Sequence, residues 1–285
     1  MRIDLHTHTS ASDGTDTPAQ LMVKAAEAGL DVIGLTDHDS TAGWSAAVAA
    51  RPGGLTLIRG AEFSTHVQLP QRSVSVHLLG YLFDPADPAI VAEQARLVGE
   101  RLHRGLTMVD LMVADGLPID REQVLEIAAG APIGRPHLGM ALVKAGVVPS
   151  VTAAFGSYLA GHGKYYVPKA DTELGTAIQL ILAAGGAPVI AHPRGRGEHR
   201  ALTAELIGEL AVLGLAGLEV DHPDHDAADK AELAEIAQRY QLIATGSSDY
   251  HGHNKTLQLG QQTTTPDALQ RLVSRTSGGT APVTD

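Results

Sequence analysis

A chain of 285 residues is long enough for one α/β barrel or two ordinary domains, and 44% hydrophobic with 19% charged residues is a soluble globular profile. Its 21 Lys and Arg against 32 Asp and Glu leave a net charge of −11, with no basic run, which argues against coating duplex DNA through phosphate attraction. The absence of cysteine excludes a disulfide framework, a thiolate metal site and a thiol nucleophile.

No apolar run approaches the roughly 18 residues of a membrane span. The opening Met1-Arg-Ile-Asp-Leu-His lacks the basic-then-apolar pattern of a signal peptide, so a cytoplasmic enzyme with no membrane partner is expected. Histidine is the unusual count: 14 is roughly twice what average composition gives.

In chain order, Arg2-Ile-Asp-Leu5 reads as a first strand. Thr17 as N-cap, Pro18 and Gln20 then open a helix that carries Leu21, Met22, Ala25 and Ala26 on one face and stops at Gly29. A strand over 31–36, a helix over 41–50 and strands over 55–62 and 73–82 follow. From about 85 to 168 the rhythm turns helical (89–114, 121–129, 137–145, 152–159), which suggests an inserted subdomain between barrel portions 1–84 and 169–285. Alternation then resumes with helices over 174–184, 204–213, 227–240 and 266–272, and strands over 187–191, 218–220 and 242–246. The tail from Ser277 is small and polar enough to be loose. About seven strands with crossover helices predict one parallel (β/α) barrel with one insertion.

Functional groups of parallel α/β folds gather at strand carboxyl ends. Polar clusters fall there: Asp4-Leu-His6-Thr-His8 with Asp13-Gly14, then Thr36-Asp37-His38-Asp39, Gly60-Ala-Glu62, Ala191-His192-Pro193 and Ser248-Asp249-Tyr-His251, with His77 inside the fourth strand. His6 and His8 alternate on an extended chain, so both imidazoles face one side. Alone, Asp4 and Asp37 read equally well as turn formers. Together His6, His8, Asp13, His38, Glu62, His77, His192, Asp249 and His251 exceed what one ion can use. Neutral imidazole with carboxylate suits Mn²⁺, Fe²⁺ or Zn²⁺, and two or three such ions sharing a carboxylate would activate water and bind substrate oxygens.

The runs Asp4 to Gly14, Gly34-Leu-Thr-Asp-His-Asp-Ser40, Gly60-Ala-Glu62, Ala191-His-Pro193 and Gly246-Ser-Ser-Asp-Tyr-His251 resemble the PHP (polymerase and histidinol phosphatase) family of phosphoesterases nearly end to end. The resemblance is greatest to stand-alone bacterial members acting on nucleoside 3′,5′-bisphosphates or on 5′ ends of short RNAs, and Ile133-Gly-Arg-Pro-His-Leu138 supports that subgroup. It implies a distorted (β/α)7 barrel with up to three metals. His6, His8, Glu62 and Asp249 would hold the first, and Glu62 would bridge to a second completed by His77 and His192. Asp13, His38 and His251 would hold the third. Arg135 and His137 of the insertion, acting as a substrate lid, would contact substrate phosphate.

Two departures from the family pattern stand out: Asp221 where an aromatic residue is common before His222-Pro-Asp-His225, and the arginine-rich Arg194-Gly-Arg196. Arg135 and Arg194 are candidate phosphate clamps, with a surface ion pair as the alternative for Arg194. His225 is a candidate general acid. Lys164 and Lys169 flank Tyr165-Tyr166 as rim or binding residues, and Tyr165 reads as a base-stacking or a packing ring. His66, His103, His162, His199 and His253 lack motif context and read as ordinary surface or core residues.

The reading that emerges is hydrolysis of a nucleotide phosphomonoester. The rivals are 5′→3′ exonuclease action on short RNA, an amidohydrolase-type C–N hydrolase, and a metal-stabilised module without activity. An amidohydrolase commonly bridges its metals with a strand-end lysine where this chain has Glu62. A module of the third kind typically loses several of the nine groups.

Overall fold

A computed structural model describes residues 1–70, 72–161, 163–195 and 201–285. His162, Arg196 and His199 lie outside the described residues. Strand β1 (Ile3–Asp4) is followed by α1 (Pro18–Glu27), β2 (Val32–Leu35), α2 (Trp44–Ala50), β3 (Thr56–Gln68) and β4 (Ser73–Tyr81). Four helices come next: α3 (Pro88–Ala114), α4 (Arg121–Ala128), α5 (Arg135–Lys144) and α6 (Val151–Ser157). The chain then continues through β5 (Thr172–Glu173), α7 (Leu174–Ala183), β6 (Ala187–Ile190), α8 (Ala204–Val212), β7 (Gly217–Asp221), α9 (Ala227–Arg239), β8 (Ile243–Gly246) and α10 (Pro266–Ser274). Local chemistry explains the boundaries. Thr17 and Gln20 form the expected capping box on α1, and Gly29 ends that helix region at φ 71°.

The sheet order is β1-β2-β3-β4-β6-β7-β8, with β5 added beside β3, curled into a nearly closed barrel. One face packs Leu35, Leu57, Phe63 and Leu218 against Leu21, Ile178 and Ile207 of the surrounding helices. The other gathers Ile3, Leu5, Ile58, Leu79, Val189 and Ile243 with Ala268 and Leu272 of α10, which plugs that end. Barrel closure between β8 and β1 rests on few bonds. His8 N–H donates to Tyr250 O at 2.8 Å, and Thr264 N–H to Ile3 O at 2.9 Å. The fully buried Asp4 carboxylate accepts Ser248 N–H at 3.0 Å and Gly260 N–H at 2.8 Å. Asp4 is therefore the clamp of the seam.

Two expectations need correcting. The sheet is not all parallel, because β4 runs antiparallel to both β3 and β6. Only residues 69–72 separate β3 from β4, far too few for a crossover that would return the chain parallel. The tail is not loose either. Thr280 N–H donates to Leu82 O at 2.7 Å, Leu57 and Val283 exchange two backbone bonds, and Asp285 accepts Gly54 N–H at 2.8 Å while pairing with Arg51 at 3.0 Å.

The helices from α3 to α6 have an apolar cluster of their own, including Met108, Val124, Ile133, Leu138, Leu142 and Leu159. Helix α3, 27 residues and so about 40 Å long, places Ile90 and Leu97 in the barrel core and Met112 in this second core. Among the described residues no helix is long and apolar enough to cross a membrane.

Candidate metal centre

Directly after β1, the period-2 alternation of an extended chain turns His6 and His8 to one side, with their Nε2 atoms 3.0 Å apart. The following loop is folded back by Asp37, whose carboxylate accepts Thr9 N–H and Thr9 Oγ1–H at 2.7 Å and Ser12 Oγ–H at 2.6 Å. Asp37 thus fastens the loop that presents Asp13. The next residue must be glycine, since a Cβ on Gly14 would sit 2.6 Å from His8 O.

Glu62 is the hub, on β3 and 1% exposed. Its Oε2 lies 3.3 Å from His6 Nε2, 3.1 Å from His8 Nε2 and 3.0 Å from His38 Nδ1. Its Oε1 lies 2.6 Å from His77 Nδ1 and 3.1 Å from His192 Nε2. Asp249 Oδ1 is 3.4 Å from both His6 Nε2 and His8 Nε2. Ligands around a tetrahedral ion at about 2.05 Å are separated by about 3.3 Å, and His6, His8 and Asp249 lie at about that spacing from one another, as His6, His8 and Glu62 do. A further group surrounds Asp13: its Oδ1 is 3.4 Å from His251 Nε2 and 3.8 Å from His8 Nδ1, and its Oδ2 is 3.7 Å from His38 Nε2. All nine sequence candidates therefore converge. His77 reaches the cluster because the antiparallel β4 brings it opposite Ser64, two residues beyond Glu62, and not because it ends a strand.

Two features fit metal ions. Asp13 Oδ1 and His38 Nδ1 are buried without a hydrogen-bond partner, a costly state that an ion would relieve. The backbone is also held at positive φ at Asp39 (51°), His192 (28°) and Asp249 (52°), conformations that non-glycine residues tolerate when surroundings over-determine them, as at functional sites.

The charges divide within the cluster. Burial pushes the His8 imidazole down, but Asp249 and Glu62 outweigh it and raise its pKa to about 9. Burial also opposes protonation of His6, yet Glu62, Glu219 and Asp249 hold it well above its ordinary range. His192 is pushed by burial down to about 3, and burial lowers His38 and His251 as well. In the metal-free chain His6 and His8 carry protons that metal must displace. Calorimetry of Mn²⁺ binding at pH 7 in buffers of different ionisation enthalpy should register at least one proton released per chain. A group raised in the folded state stabilises fully below its unfolded pKa, so the His8 contribution is present below 6.5 and lost as pH rises to about 9. Saturating metal should remove that alkaline loss in thermal scans. Zero proton release would contradict this charge state.

Sequence reasoning missed several residues. Glu219 on β7 holds His6 Nδ1 at 3.2 Å through Oε1, which also accepts Ser247 Oγ–H, and accepts His192 N–H at 2.7 Å through Oε2. It orients two histidines at once, as carboxylates behind metal-bound histidines do. His6 leads the groups that outweigh burial in lowering its pKa to about 2. The signal was an acid between apolar residues in Leu218-Glu-Val220. His222 Nε2, buried and without a hydrogen-bond partner, lies 3.5 Å from Asp249 Oδ2. Lys255 Nζ bonds the same oxygen. Arg101 reaches the edge of the site from α3, with Nε 2.5 Å from Asp39 Oδ2.

The other sequence candidates are placed as follows. His137 caps α5, its Nδ1 accepting Gly134 N–H at 2.9 Å, and is 3% exposed. Arg135 donates to Leu159 O at 3.0 Å and lies over the Phe155 ring. The Arg194 guanidinium forks onto Glu232 at 3.1 and 3.2 Å and donates to Leu202 O. His225 uses both ring nitrogens on backbone, Nδ1 donating to Val220 O at 2.8 Å and Nε2 accepting Arg194 N–H at 3.1 Å. His225 is thus engaged with backbone at both nitrogens, and His222 is the histidine of that segment that faces the cluster. Tyr165 packs on Tyr158 and donates its hydroxyl to Asp115 at 2.6 Å, while Lys164 pairs with the same aspartate. Lys169 pairs with Asp171, and burial lowers its pKa to about 8.

The family model described as PHP domain matches residues 4–118. A phosphoribosyl 1,2-cyclic phosphate 1,2-diphosphodiesterase from Eggerthella lenta is 33% identical, over 87% of this chain and 94% of that one. The chain belongs to the PHP family. A 3′,5′-nucleoside bisphosphate phosphatase from Chromobacterium violaceum is also 33% identical, over 87% of each protein. A 5′-3′ exoribonuclease from Haemophilus influenzae is 31% identical, over 94% of this chain and 96% of that one. A solved structure from Bifidobacterium adolescentis, assigned as a metal-dependent phosphoesterase, is similar at a TM-score of 0.89 and 34% identity, covering 96% of both chains. The fold is thus the PHP barrel, and this PHP chain is a metal-dependent phosphoesterase.

Proposed function

We propose that the chain hydrolyses a phosphomonoester of a nucleotide, foremost a nucleoside 3′,5′-bisphosphate or a 5′-mononucleotide. The observation that carries this is the Glu62 carboxylate with five imidazoles within 3.3 Å, flanked by Asp249 and Asp13. His6, His8, Glu62 and Asp249 would hold one divalent ion, His77 and His192 with Glu62 a second, and Asp13, His38 and His251 a third, drawn from Mn²⁺, Fe²⁺ or Zn²⁺. Such ions supply positive charge for phosphoryl oxygens and lower the pKa of water to make a nucleophile at neutral pH. Glu219 keeps His6 and His192 oriented, and Asp37 keeps the Asp13 loop in place.

Residues 85–168 serve in this reading as a lid. Helix α5 begins beside Asp13, where its N-terminal amide end favours an anion, and Arg135 and His137 of its first turn would contact substrate phosphate. Arg194 joins as a phosphate clamp by exchanging Glu232 for substrate. The similarity to the Haemophilus exoribonuclease over nearly the whole chain favours short RNA as a second substrate.

The test is a Mn²⁺-dependent phosphate-release screen with adenosine 3′,5′-bisphosphate, adenosine 5′-monophosphate, histidinol phosphate and a 5′-phosphorylated RNA oligomer, assayed also for mononucleotide release. Release from the bisphosphate with the highest kcat/KM is expected. Silence on all of them would sink the reading, and mononucleotide release from RNA alone would replace it by the exonuclease.

A further inference from the structure

A cleft of about 790 Å³ separates the helical insertion from the barrel, in the size range of small-molecule sites. One wall is α5 with the start of α6, and the other is the segment 253–257 after β8. Both walls begin at the metal centre. Asn254 Nδ2 donates to Asp13 O at 2.8 Å, and Lys255 Nζ bonds Asp249. On the opposite side, a Cβ at Gly134, the residue before α5, would lie 3.7 Å from Asp13 Oδ2.

From there the cleft follows α5 outward. His137, Met140 and Lys144 stand at i, i+3 and i+7, on one face of the helix, and His137 to Lys144 is a rise of about 10 Å. The lining chemistry is selective. Lys255 is neutralised by Asp249, so Lys144, exposed and without a carboxylate partner among the described residues, is the cation that the α5 wall offers to an anion. Asn254, Thr152 and Asp224 offer hydrogen bonds of the kind a ribose uses, with Asp224 suited to accept from hydroxyls. Among the described lining residues there is no Phe, Tyr or Trp, and the ring that a base could meet is the His253 imidazole.

We propose that this cleft binds the part of the substrate beyond the scissile phosphate, with Lys144 contacting a second phosphate group. The inference rests on the phosphoesterase reading and sharpens it: the preferred substrate carries a second phosphate about one nucleotide from the first. That group is either the other phosphate of a nucleoside bisphosphate or the next phosphodiester of a short RNA. A lysine in the last turn of a helix also stabilises the helix dipole, a role that a substrate-dependent readout separates.

The experiment compares the full chain with Lys144→Met and Lys144→Arg, all loaded with Mn²⁺. Substrates are adenosine 3′,5′-bisphosphate, a 5′-phosphorylated RNA trimer and adenosine 5′-monophosphate. Loss of one charge-assisted contact corresponds to about a tenfold effect or somewhat more. Lys144→Met should raise KM about tenfold for the doubly phosphorylated substrate with little change in kcat, leave the monophosphate unaffected, and be rescued by Lys144→Arg. Whichever of bisphosphate and trimer shows the change identifies the source of the second phosphate. Equal effects on all three substrates, or none, overturn the proposal. Calorimetric binding of adenosine 3′,5′-bisphosphate is read in parallel. If no substrate is hydrolysed, the phosphoesterase reading fails, yet a tenfold weaker affinity in Lys144→Met still supports the subsite, and unchanged affinity overturns it.

Discussion

Glu62→Gln should lower phosphate release by about a thousandfold or more and leave the purified chain short of metal. The substitution keeps shape and volume, so the effect isolates the charge. Both carboxylate oxygens are committed, Oε2 toward His6, His8 and His38 and Oε1 toward His77 and His192. An amide offers one acceptor and one donor in their place, and its NH₂ would point at imidazole nitrogens that must be free to bind metal. Removing one preorganised charge from a site of this kind costs about 10²–10³ in rate, and a lost bridging ligand adds the weaker occupancy of two ions. Two measurements check this. Elemental analysis should find fewer ions per chain than in wild type, and the rise of Tm on adding Mn²⁺ should shrink, because ligand stabilisation scales with occupancy of the native state. Glu219→Gln, which loosens two histidines without removing a ligand, should fall by only about 10–100-fold. Full metal content with near wild-type turnover in Glu62→Gln would remove Glu62 from the centre of the site.

What the sequence made legible follows from which interactions are local. His6 and His8 were readable because strand periodicity alone places alternate side chains on one face. Glu62 and His192 were readable because each closes a largely apolar run, and Asp249 because its Ser-Ser-Asp-Tyr-His motif follows directly on a strand. The direction of β4 was not, since Phe63–Gln68 looks like loop until it is seen to prolong β3 into a hairpin with Ser73–Tyr81. His77 lies inside the fourth strand as expected, and the antiparallel hairpin is what turns it toward Glu62. His222 and His225 are indistinguishable on paper; only the turn that ties His225 Nδ1 to Val220 O decides which one faces Asp249. Glu219 and Arg101 were hidden for a related reason. One is a lone acid in a short strand and the other an ordinary charge in a helical pattern, and their partners lie 213 and 62 residues away. The tail misled because its anchors are backbone bonds, which small polar residues make as readily as any others.

Arg101→Met should destabilise the protein by about 3–5 kcal/mol, the cost of stranding the carboxylate of a buried ion pair. Asp39 is fully buried and follows His38. Its Oδ1 accepts Ser64 N–H at 2.6 Å, and its Oδ2 accepts Ser64 Oγ–H at 2.6 Å as well as Arg101 Nε–H at 2.5 Å. Arg101 Nη2 donates in turn to Ser64 Oγ at 2.8 Å. The carboxylate therefore joins the end of β2, the β3 segment beyond Glu62 and helix α3 of the insertion. Burial pushes its pKa up, but Arg101, then Lys169 and the Ser64 bonds, hold it well below the usual carboxylate range. For a depressed group the stabilisation is complete above the unfolded pKa of about 4 and lost as pH falls below it. Without Arg101 the remaining Ser64 bonds and the more distant Lys169 cannot balance a buried charge. Urea denaturation followed by far-UV circular dichroism checks the prediction. Asp39→Asn combined with Arg101→Met should be less destabilised than the sum of the single variants, because neither charge is then left alone. Arg101→Met within about 1 kcal/mol of wild type, or strict additivity in the double variant, would show that the pair does not hold the insertion against the centre. With the pair intact, α3 and the segments that carry His38 and Glu62 behave as one unit, which holds the first helix of the insertion beside the centre.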